Sequence, residues 1–109
     1  MSSSIVHEQD HLRFVVYSPE KQQLGYLSYE QREHGATTVL DLQHTVVDPA
    51  GRGQGLAGKL CDAAFTFAQE QGYKVIPTCS YISDTYLKRT SFPNALELVY
   101  KTPEDASAL

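Results

Sequence analysis

The chain of 109 residues has few cysteines, a small net charge and no long apolar run, and each shortage argues against a class of protein. Two cysteines make a poor disulfide framework, and neither stands in a Cys-x-x-Cys pair typical of zinc sites. No segment approaches the ~20 consecutive apolar residues of a membrane span. The net charge of −4 argues against general nucleic-acid binding, which usually needs a basic surface.

Other absences narrow the expectation further. The first residues lack the basic and apolar regions of a secretory signal, so we expect a cytoplasmic protein with no membrane partner. The four histidines have no metal-ligand spacing, and we predict no metal site. The length favours a single domain, with residues 1–10 and 103–109 predicted to fray. Nothing in the pattern indicates the oligomeric state.

Hydrophobic periodicity predicts an α/β (α+β) fold. Strands are expected over residues 12–17, 24–33, 37–47, 74–77 and 95–100, and helices over residues 56–71 and 80–88. The first three strands follow one another closely and should form an antiparallel meander. The strand at 74–77 follows a crossover helix and should therefore lie parallel to the strand at 37–47, giving a mixed sheet.

A glycine-dense turn between the third strand and the long helix is the most informative segment. It runs from Asp48 to Lys59 and contains glycines at positions 51, 53, 55 and 58. A helix N-terminus has unsatisfied N–H groups and a partial positive charge, and glycines let the backbone approach a ligand closely. The segment therefore predicts a phosphate-bearing ligand held by backbone.

The glycine spacing does not suit the two commonest nucleotide loops. A Walker loop requires Gly-Lys-Ser/Thr, whereas Gly58-Lys59 is followed by Leu60. Residues 53–58 match Gly-x-Gly-x-x-Gly, but a dinucleotide fold normally continues into a longer α/β sheet. A dinucleotide site stays open as a competing interpretation.

The run Arg52-Gly53-Gln54-Gly55-Leu56-Ala57 has another likeness. It resembles the acyl-CoA-binding signature Gln/Arg-x-x-Gly-x-Gly/Ala of the GNAT superfamily of N-acyltransferases. With residues 44–47, 57–68 and 77–81, the likeness extends to small, minimal GNAT-like domains and covers about residues 25–92. It implies an N-acetyltransferase that uses acetyl-CoA and passes the acetyl group to an amine. The alternative is a non-catalytic module that binds CoA or acyl-CoA.

The resemblance also implies which residues contact coenzyme A. The loop would hold its pyrophosphate, and the backbone before the loop would pair with the pantetheine amides. A cation in the first turn opposes the helix dipole, which is easier to understand if an anion binds there. The predicted cofactor-binding residues are Val46, Val47, Arg52, Gly53, Gln54, Gly55, Leu56, Ala57, Gly58, Lys59, Tyr86 and Arg89.

Two residues are predicted to be catalytic. Cys79 follows the short strand at the carboxyl end of the sheet, where α/β sheets bind ligands, and a helix start there would favour its thiolate. A small buried apolar residue is the usual role of a free cysteine, but the resemblance places Cys79 beside the acyl group. Cys61 lies on the apolar stripe of the long helix and is expected in the core.

The second predicted catalytic residue is His44. It alternates with Leu40, Leu42 and Val46, so we expect it on their inward face, in the same crevice as Cys79. We hypothesise that His44 acts as a base or polarises Cys79. Many GNAT enzymes use a late tyrosine to protonate the departing thiolate, and Tyr86 lies in the similar region. The usual Gly-Phe that follows is replaced here by Ser91-Phe92.

Overall fold

A computed structural model of the chain describes residues 3–90 and 92–100. Within them, five strands form one sheet in sequence order: β1 Ser4–Glu8, β2 Arg13–Tyr17, β3 Gln23–His34, β4 Thr37–Val47 and β5 Lys74–Ile76. Strands β1 to β4 are antiparallel, and β5 pairs parallel with β4. The predicted mixed sheet and crossover are confirmed. The predicted frayed tail at 103–109 lies outside the described residues.

The long helix α1 spans Leu56–Gln71, as predicted from its apolar spacing. It ends because Gly72 takes a φ of +74°, the left-handed conformation in which glycine stops a helix. Its buried face is Leu56, Leu60, Cys61, Ala64, Phe65 and Ala68. This face packs on the side of the sheet that we call the inner face, which includes Phe14, Leu27 and Leu40. The outer face is the opposite one and includes Ser28 and Asp41.

The first strand was missed, and the predicted frayed segment at 1–10 is wrong for Ser4–Glu8. The contacts of His7 hold this strand in place. Its ring stacks on Phe14 with centroids 4.0 Å apart, and its Nε2 lies 2.6 Å from the Tyr29 hydroxyl oxygen. The strand is thus held by residues distant in sequence, which a local pattern does not reveal.

The end of the chain also differs from the prediction. Residues 80–89 are helical, with a π-helical turn at Ile82–Tyr86 followed by α2 Leu87–Arg89. The strand predicted over 95–100 is instead a single helical turn, α3 Ala95–Leu98, and only Val99 bridges to β5. Pro93 has no N–H to donate, and Asn94 takes a φ of +60°, so the chain turns before it can extend.

Candidate functional site

The glycine-dense turn forms one 3₁₀ turn, Pro49–Gly51, and an open loop leading into α1. Gly53 and Gly55 have φ values of +83° and +68°, where any other residue would be strained. Gly51 is favoured by space instead, because a Cβ there would lie 2.9 Å from Leu56 Cδ1 and 3.1 Å from both the Cβ and the carbonyl oxygen of Leu24. The loop path therefore depends on glycine for two separate reasons.

The start of α1 has backbone donors without acceptors. The helix is preceded by Gly55, and no side chain that the structure describes caps it. The N–H of Lys59 donates to the Gly55 carbonyl at 3.2 Å, whereas the N–H groups of residues 53–58 have no acceptor among the described residues. A cavity of about 170 Å³ lies here, lined by Val47, Gly51, Arg52, Gly53, Gly55, Leu56 and Ala57.

Two positive side chains flank the part of the loop that leads into α1. Arg52 and Lys59 are exposed, and neither forms an ion pair with another residue that the structure describes. The first turn of α1 contains no acidic residue. The Gln54 side chain folds back, with Nε2 donating to the Ala50 carbonyl at 3.4 Å. Two cations and a helix N-terminus together favour an anion at this position.

Strands β4 and β5 separate next to the loop. They pair only from Val39 to Asp41 of β4, and the Cys79 N–H then donates to the Leu42 carbonyl at 2.9 Å. Beyond that bond, residues 43–47 have no strand partner on the β5 side among the described residues. The separation leaves an open backbone edge along Val46 and Val47, where the resemblance stated above implies pairing with the pantetheine amides.

Cys79 lies at the point where the strands separate. It is half-buried against the inner-face core, and its carbonyl accepts hydrogen bonds from the N–H groups of Ile82 and Ser83 at 3.0 and 3.2 Å. It therefore precedes the helical segment, as the sequence indicated. Cys61 is fully buried, and burial raises the pKa of its thiol to about 12. The prediction that Cys61 belongs to the core is confirmed.

His44 lies on the other side of the sheet, and the expected inward orientation is wrong. The ladder pairs Tyr29 with Leu42 but Ser28 with His44, so Gln43 is an extra residue in β4. A bulge of this kind reverses the alternation of every later side chain. His44 and Val46 are consequently exposed on the outer face. Cys79 packs against the inner-face core, so the predicted shared crevice is wrong. The role of His44 as a base stays a prediction.

A second cavity, of about 360 Å³, lies between α1 and the helical segment at 80–89. Its lining residues are Gly58, Asp62, Tyr81, Thr85, Tyr86, Arg89 and Thr90. The structure thus brings three of the predicted cofactor residues, Gly58, Tyr86 and Arg89, to one surface. We refer to this space as the interhelical cavity.

Two tyrosines of the interhelical cavity have altered acidity. Burial is the largest cause of the raised pKa of Tyr86, followed by the hydrogen bond from its hydroxyl to Asp62 Oδ1 at 2.5 Å. Burial also raises the pKa of Tyr81. Asp62 was missed in the sequence, although it lies one turn after Gly58 on the same side of α1.

The described residues form neither a metal site nor a membrane-spanning helix. The His, Cys, Asp and Glu residues that the structure describes form no group of three able to hold a metal ion. None of the described helices combines the length and apolar character needed to cross a membrane.

The family follows from a direct match. A family model described as GCN5-related N-acetyl-transferase matches residues 13–94, which include the glycine loop, α1 and β5. The chain belongs to the GCN5-related N-acetyltransferase (GNAT) family. This confirms the resemblance stated from the loop sequence.

Curated relatives of this GNAT chain carry the name Protein NATD1. The protein from Gallus gallus is 34% identical over 93 residues, covering 85% of this chain and 81% of its own length. The Mus musculus protein is 42% identical over 65 residues, covering 60% of this chain and 58% of its own length. The mouse match thus spans less than two thirds of that relative.

Solved GNAT structures share the fold. The glucosamine-6-phosphate N-acetyltransferase from Arabidopsis thaliana aligns with a TM-score of 0.61 and 21% identity, over 75% of this chain and 59% of the enzyme. A GNAT family N-acetyltransferase from Escherichia coli in complex with CoA aligns with a TM-score of 0.56 and 22% identity, over 73% and 48% of the two chains. At these identities the likeness shows the fold alone.

Proposed function

We propose that this GNAT domain binds acetyl-CoA through the loop at 52–57 and transfers the acetyl group to an amine. The supporting observation is the set of backbone N–H groups at residues 53–58, at the positive end of α1, for which the described part of the chain offers no acceptor. A diphosphate supplies the acceptors that these donors need. The exposed cations Arg52 and Lys59 add attraction for the same negative charge.

The loop also fits a diphosphate in shape. The positions where a Cβ would stand at Gly53 and Gly55 are open, because apart from their chain neighbours no described residue has a heavy atom within 4 Å. Ligand oxygens can therefore approach the backbone directly. Arg89 of the interhelical cavity is a further cation on the same side of α1, and we propose that it binds the 3′-phosphate.

The separated edge of β4 is proposed to hold the pantetheine arm. The backbone of Val46 and Val47 would pair with the two amides of the arm, because residues 43–47 lack a strand partner on the β5 side among the described residues. This pairing would bring the end of the arm toward Cys79. When bound, acetyl-CoA supplies an acetyl group activated as a thioester.

The proposed chemistry has two forms. In the first, the amine nitrogen bonds to the acetyl carbon as the carbon–sulfur bond breaks, and His44 accepts the amine proton. His44 is exposed on the outer face, so an amine arriving from solvent can reach it. In the second form, the Cys79 thiolate bonds to the acetyl carbon and CoA leaves as its thiolate. The amine nitrogen then bonds to the same carbon, the bond to Cys79 breaks to restore its thiolate, and the amine gives up a proton.

Two measurements test the proposal. Calorimetric titration with CoA, repeated with NAD as competitor, should show CoA binding that NAD does not displace. Release of free CoA thiol from acetyl-CoA is then measured against a panel of amines. Amine-dependent release supports acetyltransfer, whereas binding without release favours a non-catalytic CoA-binding module. An empty site at millimolar CoA contradicts both.

A further inference from the structure

One hydrogen bond joins the two walls of the interhelical cavity. The Tyr86 hydroxyl donates to Asp62 Oδ1 at 2.5 Å, across 24 positions of sequence. Asp62 belongs to the α1 wall with Gly58, and Tyr86 belongs to the opposite wall with Arg89. Among the described hydrogen bonds, this is the side-chain bond that links α1 to the helical segment at 80–89.

The position of Tyr86 depends on the π-helical turn Ile82–Tyr86. In such a turn the hydrogen bonds connect residues five apart, so residues five apart lie nearly above one another. Tyr81 and Tyr86 consequently line the same cavity, although five positions on an α-helix would separate them widely. The Tyr86 ring is then held in place, buried and 5.2 Å from the centroid of Phe65.

We propose that Asp62 and Tyr86 form a latch that fixes the width of the interhelical cavity for the cofactor, with Asp62 as a positioning residue that acts through Tyr86. This inference rests on the proposed function, since it assigns the cavity to coenzyme A. Because the latch already holds the helical segment at 80–89 against α1, binding of the cofactor costs no further conformational entropy for ordering that segment.

The same geometry removes Tyr86 from proton transfer. Its hydroxyl proton is already engaged by the Asp62 carboxylate, and donating it elsewhere would break the latch. The raised pKa of Tyr86 agrees, since burial and the Asp62 bond both hold its proton more firmly. A thiolate leaving the site would therefore take its proton from another donor or from water.

The test compares Tyr86→Phe, Asp62→Ala, Asp62→Asn and the double variant Asp62→Ala/Tyr86→Phe. Loss of a hydrogen bond to a charged group predicts about tenfold weaker CoA binding for Tyr86→Phe and for Asp62→Ala. The double variant should bind no more weakly than either single one. Asp62→Asn keeps an acceptor oxygen and should stay within about threefold of the wild type. The loss should be seen in the CoA dissociation constant and in the KM for acetyl-CoA.

Tyr17→Phe is the matched control, because Tyr17 also donates its hydroxyl to a carboxylate, Glu8 Oε2 at 2.8 Å, but on β2. It should leave CoA binding unchanged. A large fall in kcat for Tyr86→Phe with unchanged CoA affinity would make Tyr86 the proton donor and overturn the latch.

A ligand-free readout separates this inference from the proposed function. Urea unfolding of the same four variants should show that Asp62→Ala and Tyr86→Phe are non-additive, since each deletes the same bond. If the wild type binds no CoA, the proposed function fails while this coupling still shows whether the two side chains act as a unit. Additive losses in unfolding would overturn the latch.

Discussion

Ser28 of β3 stands opposite His44 of β4, although the neighbouring pair of the ladder joins Tyr29 to Leu42. The extra residue, Gln43, lies between the two pairs and shifts β4 by one position. Everything after it on β4 faces the opposite way from what simple alternation indicates. One inserted residue therefore determines that His44 faces the outer side, next to the edge proposed to hold the cofactor.

The first prediction concerns His44 itself. Because the side chain is exposed, His44→Ala should change the free energy of unfolding by no more than about 0.5 kcal/mol. If His44 is the base, acetyl transfer should fall at least about 100-fold. Urea unfolding and CoA-thiol release measure the two effects. His11→Ala, another exposed histidine, is the control, and full activity of His44→Ala would rule out the catalytic role.

A second prediction tests the glycine loop. Gly55→Ala places a side chain at a φ of +68° and should destabilise the fold by about 1–2 kcal/mol. The new Cβ would also occupy the open side of the loop, so we expect CoA affinity to fall about tenfold or more.

Gly35→Ala provides the comparison for Gly55→Ala. Gly35 has a φ of +63°, and its Cβ position likewise has no atom within 4 Å, but it lies in the turn between β3 and β4. Gly35→Ala should lower the free energy of unfolding by about as much as Gly55→Ala and leave the CoA affinity unchanged. Equal losses of affinity in the two variants would argue against a ligand at the loop.

The third prediction separates the two cysteines. Cys61 is fully buried and burial raises the pKa of its thiol to about 12, so iodoacetamide should leave it unmodified in the folded protein. Cys79 is half-buried and should react. Peptide mass spectrometry measures the alkylation of both cysteines. Modification of Cys61 in the folded protein at neutral pH would contradict its buried position.

Mass spectrometry also decides between the two forms of the reaction. After incubation with acetyl-CoA and rapid quenching, an acetyl adduct on Cys79 would support the covalent form. Cys79→Ser should then lose the adduct. An active enzyme that shows no adduct transfers the acetyl group directly to the amine.

The fourth prediction concerns pH and His7. Burial lowers the pKa of His7 in the folded protein, so the unfolded chain binds more protons near its ordinary pKa of about 6.5. Stability should therefore be fully present above about pH 7.5 and should decline as the pH falls through 6.5, levelling off below the folded pKa. Urea midpoints between pH 8 and pH 5 measure this.

His7→Phe keeps an aromatic ring on Phe14 but cannot titrate, so it should flatten this part of the pH profile. His11→Gln should leave the profile in place, because His11 is exposed and outside the aromatic cluster. A wild-type profile that is flat from pH 8 to pH 5 would contradict the role of His7.

Sequence patterns predicted those parts of the molecule whose interacting residues are close together in the chain. The bounds of α1 follow from apolar residues at helical spacing and from Gly72 at its end. The prediction that residues 51–58 bind a phosphate group follows from glycines ahead of a helix start. In each case the interacting groups are a few residues apart, so the sequence alone determined the helix, the loop and through them the family.

Contacts between distant segments required the tertiary structure. β1 depends on His7 meeting Phe14 and Tyr29, and the latch depends on Asp62 meeting Tyr86. The outward orientation of His44 depends on the register between β3 and β4. A bulge leaves no mark in composition or periodicity, so the sequence pattern did not reveal it. The sequence by itself therefore determined the long helix and the glycine loop, because their interacting groups are a few residues apart, whereas the packing of strands and helices decided which side chains surround that loop.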